Sequence, residues 1–210
     1  MDRTLHVIRS LHADVVAIQE ATIVSTGLPP IHLRQLEDAT GMKAVPGMTL
    51  WRKDAHYGNV LLAAHPVRHV HRIDLSMKGR EPRGAIMVAM DVDHRLIRIA
   101  ATHLGLKRDE RRHQVKHIIR AMGRDHDLAV LMGDLNEWEP FGMMARLLRI
   151  HFGRSWSPPS YPSCFPVLAL DRILVRPAGA RKTVETVRTP SARSASDHLP
   201  VAAIIDPAAS

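Results

Sequence analysis

The sequence predicts one mixed α/β domain with packed β-sheets, and three observations carry that prediction. Short β-branched runs alternate with stretches of helical periodicity. A series of consecutive strands interrupts the alternation between Lys43 and Leu104. The length, 210 residues, suits one core, so 1–210 is read as a single domain.

Taken in order, Leu5, Ile8, Leu11 and His12 follow helical spacing over 3–13, and Asp14 to Glu20 reads as a buried strand. Pro29-Pro30 predict the start of a short helix to about Ala39, stopped by Gly41. Strands are then expected at about 44–52, 58–64, 67–75, 84–92 and 95–103, with Gly58, Gly79, Gly84 and the Asp91–His94 stretch as turns. The clearest helix is 108–123: Val115, Ile118, Ile119 and Met122 form its apolar stripe, and Asp109 and Glu110 lie in the first turn, where the helix dipole favours acids. Leu128 to Met132 is again a buried strand. Pro140 opens a helix to about Ile150, and the proline-bearing stretch 153–167 is a loop. Strands at 170–176, 182–188 and 199–205 complete the prediction.

Composition narrows the chemistry. A net charge of +8 and a pI near 10.4 favour anionic partners: nucleic acid, phosphorylated small molecules or phospholipid headgroups. Three Trp, two Tyr and three Phe are thin for a groove that stacks single-stranded bases. The longest apolar run, Ala85–Met90, is far short of a membrane span, and the first residues lack the apolar core of a signal peptide. The single cysteine, Cys164, leaves no internal disulfide and no multi-cysteine zinc site, which fits a reducing compartment. A cytoplasmic location is the resulting expectation.

The informative residues sit at strand ends. Glu20, His103, Asp134 with Asn136, Asp171, and Asp197-His198 each fall at the end or head of a predicted strand. A carboxylate leaving a buried strand is costly unless it is paired or bound to a cation. Single Asp or Asn residues also cap turns, and Asp171 and Asp197 have the strongest such alternative. Five termini of this kind in one chain are harder to explain by capping.

The segments Asp14-Val15-Val16-Ala17-Ile18-Gln19-Glu20, Thr102-His103-Leu104, Gly133-Asp134-Leu135-Asn136, Leu170-Asp171-Arg172-Ile173-Leu174-Val175 and Ser196-Asp197-His198-Leu199-Pro200-Val201 occur in that order. Together they closely resemble the endonuclease/exonuclease/phosphatase superfamily, over Asp2 to Ile205. The resemblance implies a four-layer α/β/β/α sandwich with two mixed β-sheets. It also implies Mg²⁺-dependent hydrolysis of phosphate esters, with Mn²⁺ as a substitute ion. By resemblance, Glu20 is the main metal ligand with Asp197 near the ion. Asp134 orients and deprotonates the attacking water, Asn136 hydrogen-bonds a phosphate oxygen, and His198 donates to the phosphoryl oxygens while Asp171 holds its ring. His103 is a second phosphate-contacting histidine. A hard carboxylate such as Glu20 suits Mg²⁺, which takes one or two protein carboxylates and keeps several waters.

Within that reading, a phosphodiesterase acting on nucleic acid comes first, because phosphate backbones are bound through Lys and Arg. A phosphomonoesterase acting on an inositol, nucleotide or lipid headgroup is the alternative. A truncated, catalytically weak anion-binding protein is the reading from another class. Arg83, Arg108 and Arg111 are further candidates for contact with the substrate phosphate; basic residues snorkelling from a helix end compete with that role for Arg108 and Arg111. His113 and His117 mimic a zinc-binding helix motif, but they lie opposite the apolar stripe and are read as solvent-facing, and His69 and His71 as surface residues.

The resemblance carries one departure. Family chains open with a central strand, which bears an Asn near the metal, before the first helix, whereas this sequence opens inside that helix. The strands at 15–19 and 199–205 are therefore expected to close on each other, to accept another chain between them, or to leave the 210-residue form unstable. Weakened Mg²⁺ binding is expected as well.

Overall fold

The computed structural model describes residues 2–25, 33–52, 55–123, 128–139 and 142–208. Helix α1 (Asp2–Ser10) leads into β1 (Val15–Ser25); α2 (Leu33–Thr40) leads into β2 (Lys43–Arg52) and β3 (Ala55–Ala63). Then come β4 (Val67–Asp74), β5 (Gly84–Val92) and β6 (Arg95–His103), followed by α3 (Arg108–Met122), β7 (Leu128–Asp134) and α4 (Met143–Phe152). The chain ends with β8 (Asp171–Arg176), a 3₁₀ turn at Ala178–Ala180, β9 (Arg181–Thr186), α5 (Pro190–Ala195) and β10 (Val201–Ile205). Pro29-Pro30 and Pro140, the predicted helix starts, lie outside the described residues; α2 ends where expected, before Gly41 at φ +70°. Helix α5 was not anticipated: Thr189 caps it by accepting from the Ala192 amide, with Pro190 at its first position.

Five strands form one sheet in the order β4-β5-β6-β7-β8, antiparallel except for β6 and β7, which are parallel neighbours joined through α3. The remaining strands form two pieces: β1-β3-β2, and the β9–β10 pair. Period-two alternation sends side chains to both faces of each strand. Leu131 packs outward with Val115, Ile118 and Phe152 beneath α3 and α4, and Val130 faces inward with Ile86, Ile99 and Leu61 between the sheets. Val60 and Leu62, alternating with Leu61, meet Ile8 and Leu36 of α1 and α2 on the far side. The result is a four-layer arrangement of helices, sheet, sheet and helices. No helix among the described residues is long and apolar enough to cross a membrane.

The two strands at the suspected gap do not close on each other. Among the described residues β1 pairs only with β3, and β10 only with β9.

Candidate active site

Three strands of the large sheet end level with one another. His103, the last residue of β6, is in register with Asp134, the last of β7, and Asp134 is in register with Asp171, the first of β8. Sequence positions far apart thus form one row because parallel and antiparallel pairings end on the same line. Gly133 makes the approach feasible: at φ +128°, a Cβ there would lie 2.0 Å from the Thr102 carbonyl oxygen.

His103 is buried and neutral. Burial is the first cause and the Arg83 charge the second, and together they hold its pKa down to about 3. Arg83 Nη1 lies 3.2 Å from His103 Nδ1, and because a guanidinium only donates, Nδ1 accepts and Nε2 carries the proton. Nε2 in turn lies 3.4 Å from Asp134 Oδ2, and Glu20 Oε1 is 3.7 Å from Nδ1. Both ring nitrogens are therefore engaged within the protein. The ring thus lies between Arg83 on one side and Asp134 on the other.

Asp134 accepts the Asn136 amide at 2.8 Å through Oδ1, yet its pKa is pushed up to about 6, first by burial and then by the charge of Asp171. Asn136 takes φ +50° and donates its side-chain amide to the Leu104 carbonyl at 2.9 Å. Glu20 also has a left-handed backbone, φ +57°, at an irregularity between Ile18 and Ala21 where β1 slips register with β3. Strained non-glycine residues of this kind persist where the surroundings over-determine them, and two sit in one site.

Asp171 accepts the Ser160 hydroxyl at 2.6 Å and meets His198 Nδ1 at 2.7 Å. Burial works against a charge on His198, but the hydrogen bond and charge of Asp171, with Asp134 and Asp197 behind them, raise its pKa overall. Tyr161 lies against the same ring, centroid to centroid 4.8 Å. Ser160 and Tyr161 lie in the proline-bearing loop, which the sequence marks only by its prolines. Asp197 is exposed; Ser196 Oγ is 3.4 Å from its carboxylate, and its carbonyl accepts the Ser163 amide.

The arginine candidates separate. Arg83 is buried beside Glu20, Asn59 and His103 in one small recess, and its Nε has no partner among the described residues. Arg108 is exposed and paired with Glu139. Arg111 is a correction: it is 1% exposed, donates to the Leu106 carbonyl at 2.7 Å and lies 3.6 Å from Glu137, so neither substrate contact nor snorkelling describes it. The apolar stripe of α3 carries the guanidinium inward. Glu110, in the first turn as the sequence predicts, is likewise buried and accepts from Gln114. His113 is exposed and His117 half-buried against it, their ring centroids 4.2 Å apart.

Among the described residues no three His, Cys, Asp or Glu side chains converge as a metal cluster. The donor chemistry still fits Mg²⁺: Glu20 offers a hard, solvent-facing carboxylate, while the nearest imidazole, His103, has both nitrogens committed.

The chain is 29% identical over 220 residues to the uncharacterized protein YbhP of Escherichia coli K12, a match covering 94% of this chain and 85% of that protein. Its fold matches an endonuclease/exonuclease/phosphatase of Bacteroides vulgatus with a TM-score of 0.77, at 17% identity over 96% of this chain and 88% of that one. It also matches the mannosyl-6-phosphatase of Bacteroides thetaiotaomicron with a TM-score of 0.72, at 15% identity over 94% and 87%. The sequence profile of the Endonuclease/Exonuclease/phosphatase family matches residues 1–198, and the chain belongs to that family of phosphoesterases.

Proposed function

We propose that the protein is a metal-dependent phosphodiesterase acting on nucleic acid. The observation that carries this reading is the in-register row His103, Asp134 and Asp171, with His198 held on Asp171. A water molecule attacks phosphorus in line with the leaving oxygen, and Asp134 takes its proton. A carboxylate with a pKa near 6 is ionised at pH 7 yet more basic than a surface aspartate. His103 is a positioning residue, acting through Asp134. His198 uses Nδ1 on Asp171, which leaves Nε2–H for a phosphoryl oxygen as negative charge builds there. Asn136 spends one amide hydrogen on Leu104 and offers the second to the phosphate. Arg83 contributes positive charge from the recess beside Glu20. Glu20 and Asp197 would hold Mg²⁺ or Mn²⁺, which supplies positive charge against the developing phosphoryl charge.

The substrate class rests on the net charge of +8, which suits a polyanionic backbone. A second reading, hydrolysis of a phosphate monoester, draws support from the fold shared with a mannosyl-6-phosphatase. The test is a panel of abasic, nicked and single-stranded DNA, RNA, bis-p-nitrophenyl phosphate and inositol phosphates, each with Mg²⁺, Mn²⁺ or EDTA. Diester cleavage abolished by EDTA, with nucleic-acid turnover falling as salt rises, is the expected result. Cleavage of monoesters alone moves the assignment to the second reading, and no turnover anywhere leaves an anion-binding protein.

A further inference from the structure

The outer layer of helices presents a face that the chemistry at the strand ends does not use. Helix α4 turns Met144, Leu148 and Phe152 into the core beneath the large sheet. The opposite side of such a surface helix is ordinarily polar. Here Met143 and Ile150, seven residues apart and so on one ridge, each expose more than half of their surface. Arg146 lies between them on that ridge and Arg149 flanks it, both exposed. The helix contains no Asp or Glu.

Two tryptophans bracket this helix. Trp138 is brought to its N-terminal end by a turn in which the Gly142 amide donates to the Glu139 carbonyl at 3.3 Å. Trp156 follows shortly after Gly153, the residue that closes the C-terminal end. Each indole exposes more than half of its surface, as an aromatic side chain buried for packing would not. The neighbouring α3 packs against α4 through Val115, Ile118 and Met122, and its outward side adds Arg112, Lys116 and Arg120, four residues apart in one exposed row. The acids nearest this face are already engaged: Asp109 lies 3.7 Å from Arg80, and Glu139 is paired with Arg108.

We propose that this face docks on an anionic phospholipid surface, with α3 and α4 lying in the plane of the bilayer interface. Met143 and Ile150 enter the acyl boundary, and Trp138 and Trp156 sit at headgroup level, where amphipathic indoles are favoured. The arginines and Lys116 meet the lipid phosphates. Bulky apolar and cationic side chains on one ridge select this partner. A nucleic-acid backbone is held by cations and hydrogen-bond donors, and Met143 and Ile150 gain no burial against it. An apolar protein groove would bury Arg146 without a counter-charge. A lipid surface satisfies both kinds of side chain at once. The inference concerns the outside of the helix layer and does not rest on the substrate class named above.

Vesicle sedimentation tests this without any activity assay. The full chain is mixed with vesicles of phosphatidylcholine alone, or of phosphatidylcholine with phosphatidylglycerol. The expected result is partition into the mixed vesicles only, with tryptophan emission shifted to the blue and quenched by brominated acyl chains. Met143→Ser with Ile150→Ser leaves the charge unchanged and should weaken partition about tenfold or more, with the melting temperature preserved because both side chains are exposed. Should that pair fail to fold, quenching of the wild-type chain still decides. Trp138→Phe with Trp156→Phe should abolish the quenching; quenching that persists places the contact on another face and overturns the proposal. So does absence of partition, or partition that the serine pair leaves intact, which is adsorption by net charge alone. DNA binding weakened by Arg146→Gln with Arg149→Gln, in a chain that ignores vesicles, assigns the face to nucleic acid instead. Dimerisation lost in the serine pair, again without vesicle binding, assigns it to a second copy.

Discussion

Asp134 and Asp171 stand opposite each other, in register, at the ends of the antiparallel neighbours β7 and β8, and the charge of Asp171 helps raise the pKa of Asp134. Their surroundings then divide the labour. Asp171 is occupied by Ser160 and His198, whereas Asp134 keeps one oxygen on the Asn136 amide and carries the basicity. Two carboxylates facing each other with such different partners are suited to distinct roles.

Asp134→Asn should therefore lose activity and gain stability. Turnover should fall about 100-fold or more with loss of the general base. The folded-state pKa, about 6 against an ordinary 3.8, means that the native state binds the proton more tightly than the unfolded chain does. Wild-type stability accordingly falls as pH rises through that window, and the penalty is complete above it. The neutral variant escapes it, gaining roughly 1–3 kcal/mol at pH 7–8 and nothing below about pH 4. Urea unfolding of both proteins at pH 4 and pH 8 checks the sign; equal stability at both pH values contradicts a buried charge at Asp134.

Asp171→Asn acts through His198. Asp171 is the main group holding the His198 pKa up against burial, so its removal lets that pKa fall. If protonated His198 donates to the phosphoryl oxygen, the alkaline limb of kcat/KM must move to lower pH, with a loss of about 100-fold at pH 8 and less at pH 6. A uniform loss across pH would reduce Asp171 to a structural role.

Glu20→Gln should chiefly raise the Mg²⁺ concentration needed for half-maximal rate, by about tenfold or more, with much of the rate recovered at saturation. A titration in Mg²⁺ decides it. An unchanged midpoint removes Glu20 from the metal site.

Much of this site was legible because its residues are strand ends, and buried β-branched runs announce strands well. The register was not legible. Nothing in the sequence says that β6 and β7 stop on one line, or that β8 starts there, because that depends on where α3 and the 153–170 loop return the chain. The protonation state was hidden for the same reason: His103 is neutral because the fold buries its ring and then brings Arg83, twenty residues away, onto it. Ser160 and Tyr161 had no pattern of their own to read. The division of the second layer into β1-β3-β2 and β9–β10 was not legible either, since it depends on pairings far apart in sequence.

Arg111 gives the sharpest contrast between a sequence expectation and a fold. Its guanidinium is buried, with Nη1 on the Leu106 carbonyl and Nη2 beside Glu137, itself 3% exposed. Glu137 follows Asn136 directly, and Arg172 donates to its carbonyl at 2.7 Å, so these buried charges fasten the loop leaving β7. Breaking a buried pair by deleting one partner strands the other charge and costs about 3 kcal/mol or more. Arg111→Met should therefore lower the melting temperature by roughly 6–12 °C for a chain of this size. Below the transition, KM should stay within about threefold of wild type, because the side chain touches no substrate. Adding Glu137→Gln should restore part of the lost stability by removing the orphaned charge. A variant that keeps its melting temperature but raises KM about tenfold or more would return Arg111 to the substrate-binding residues.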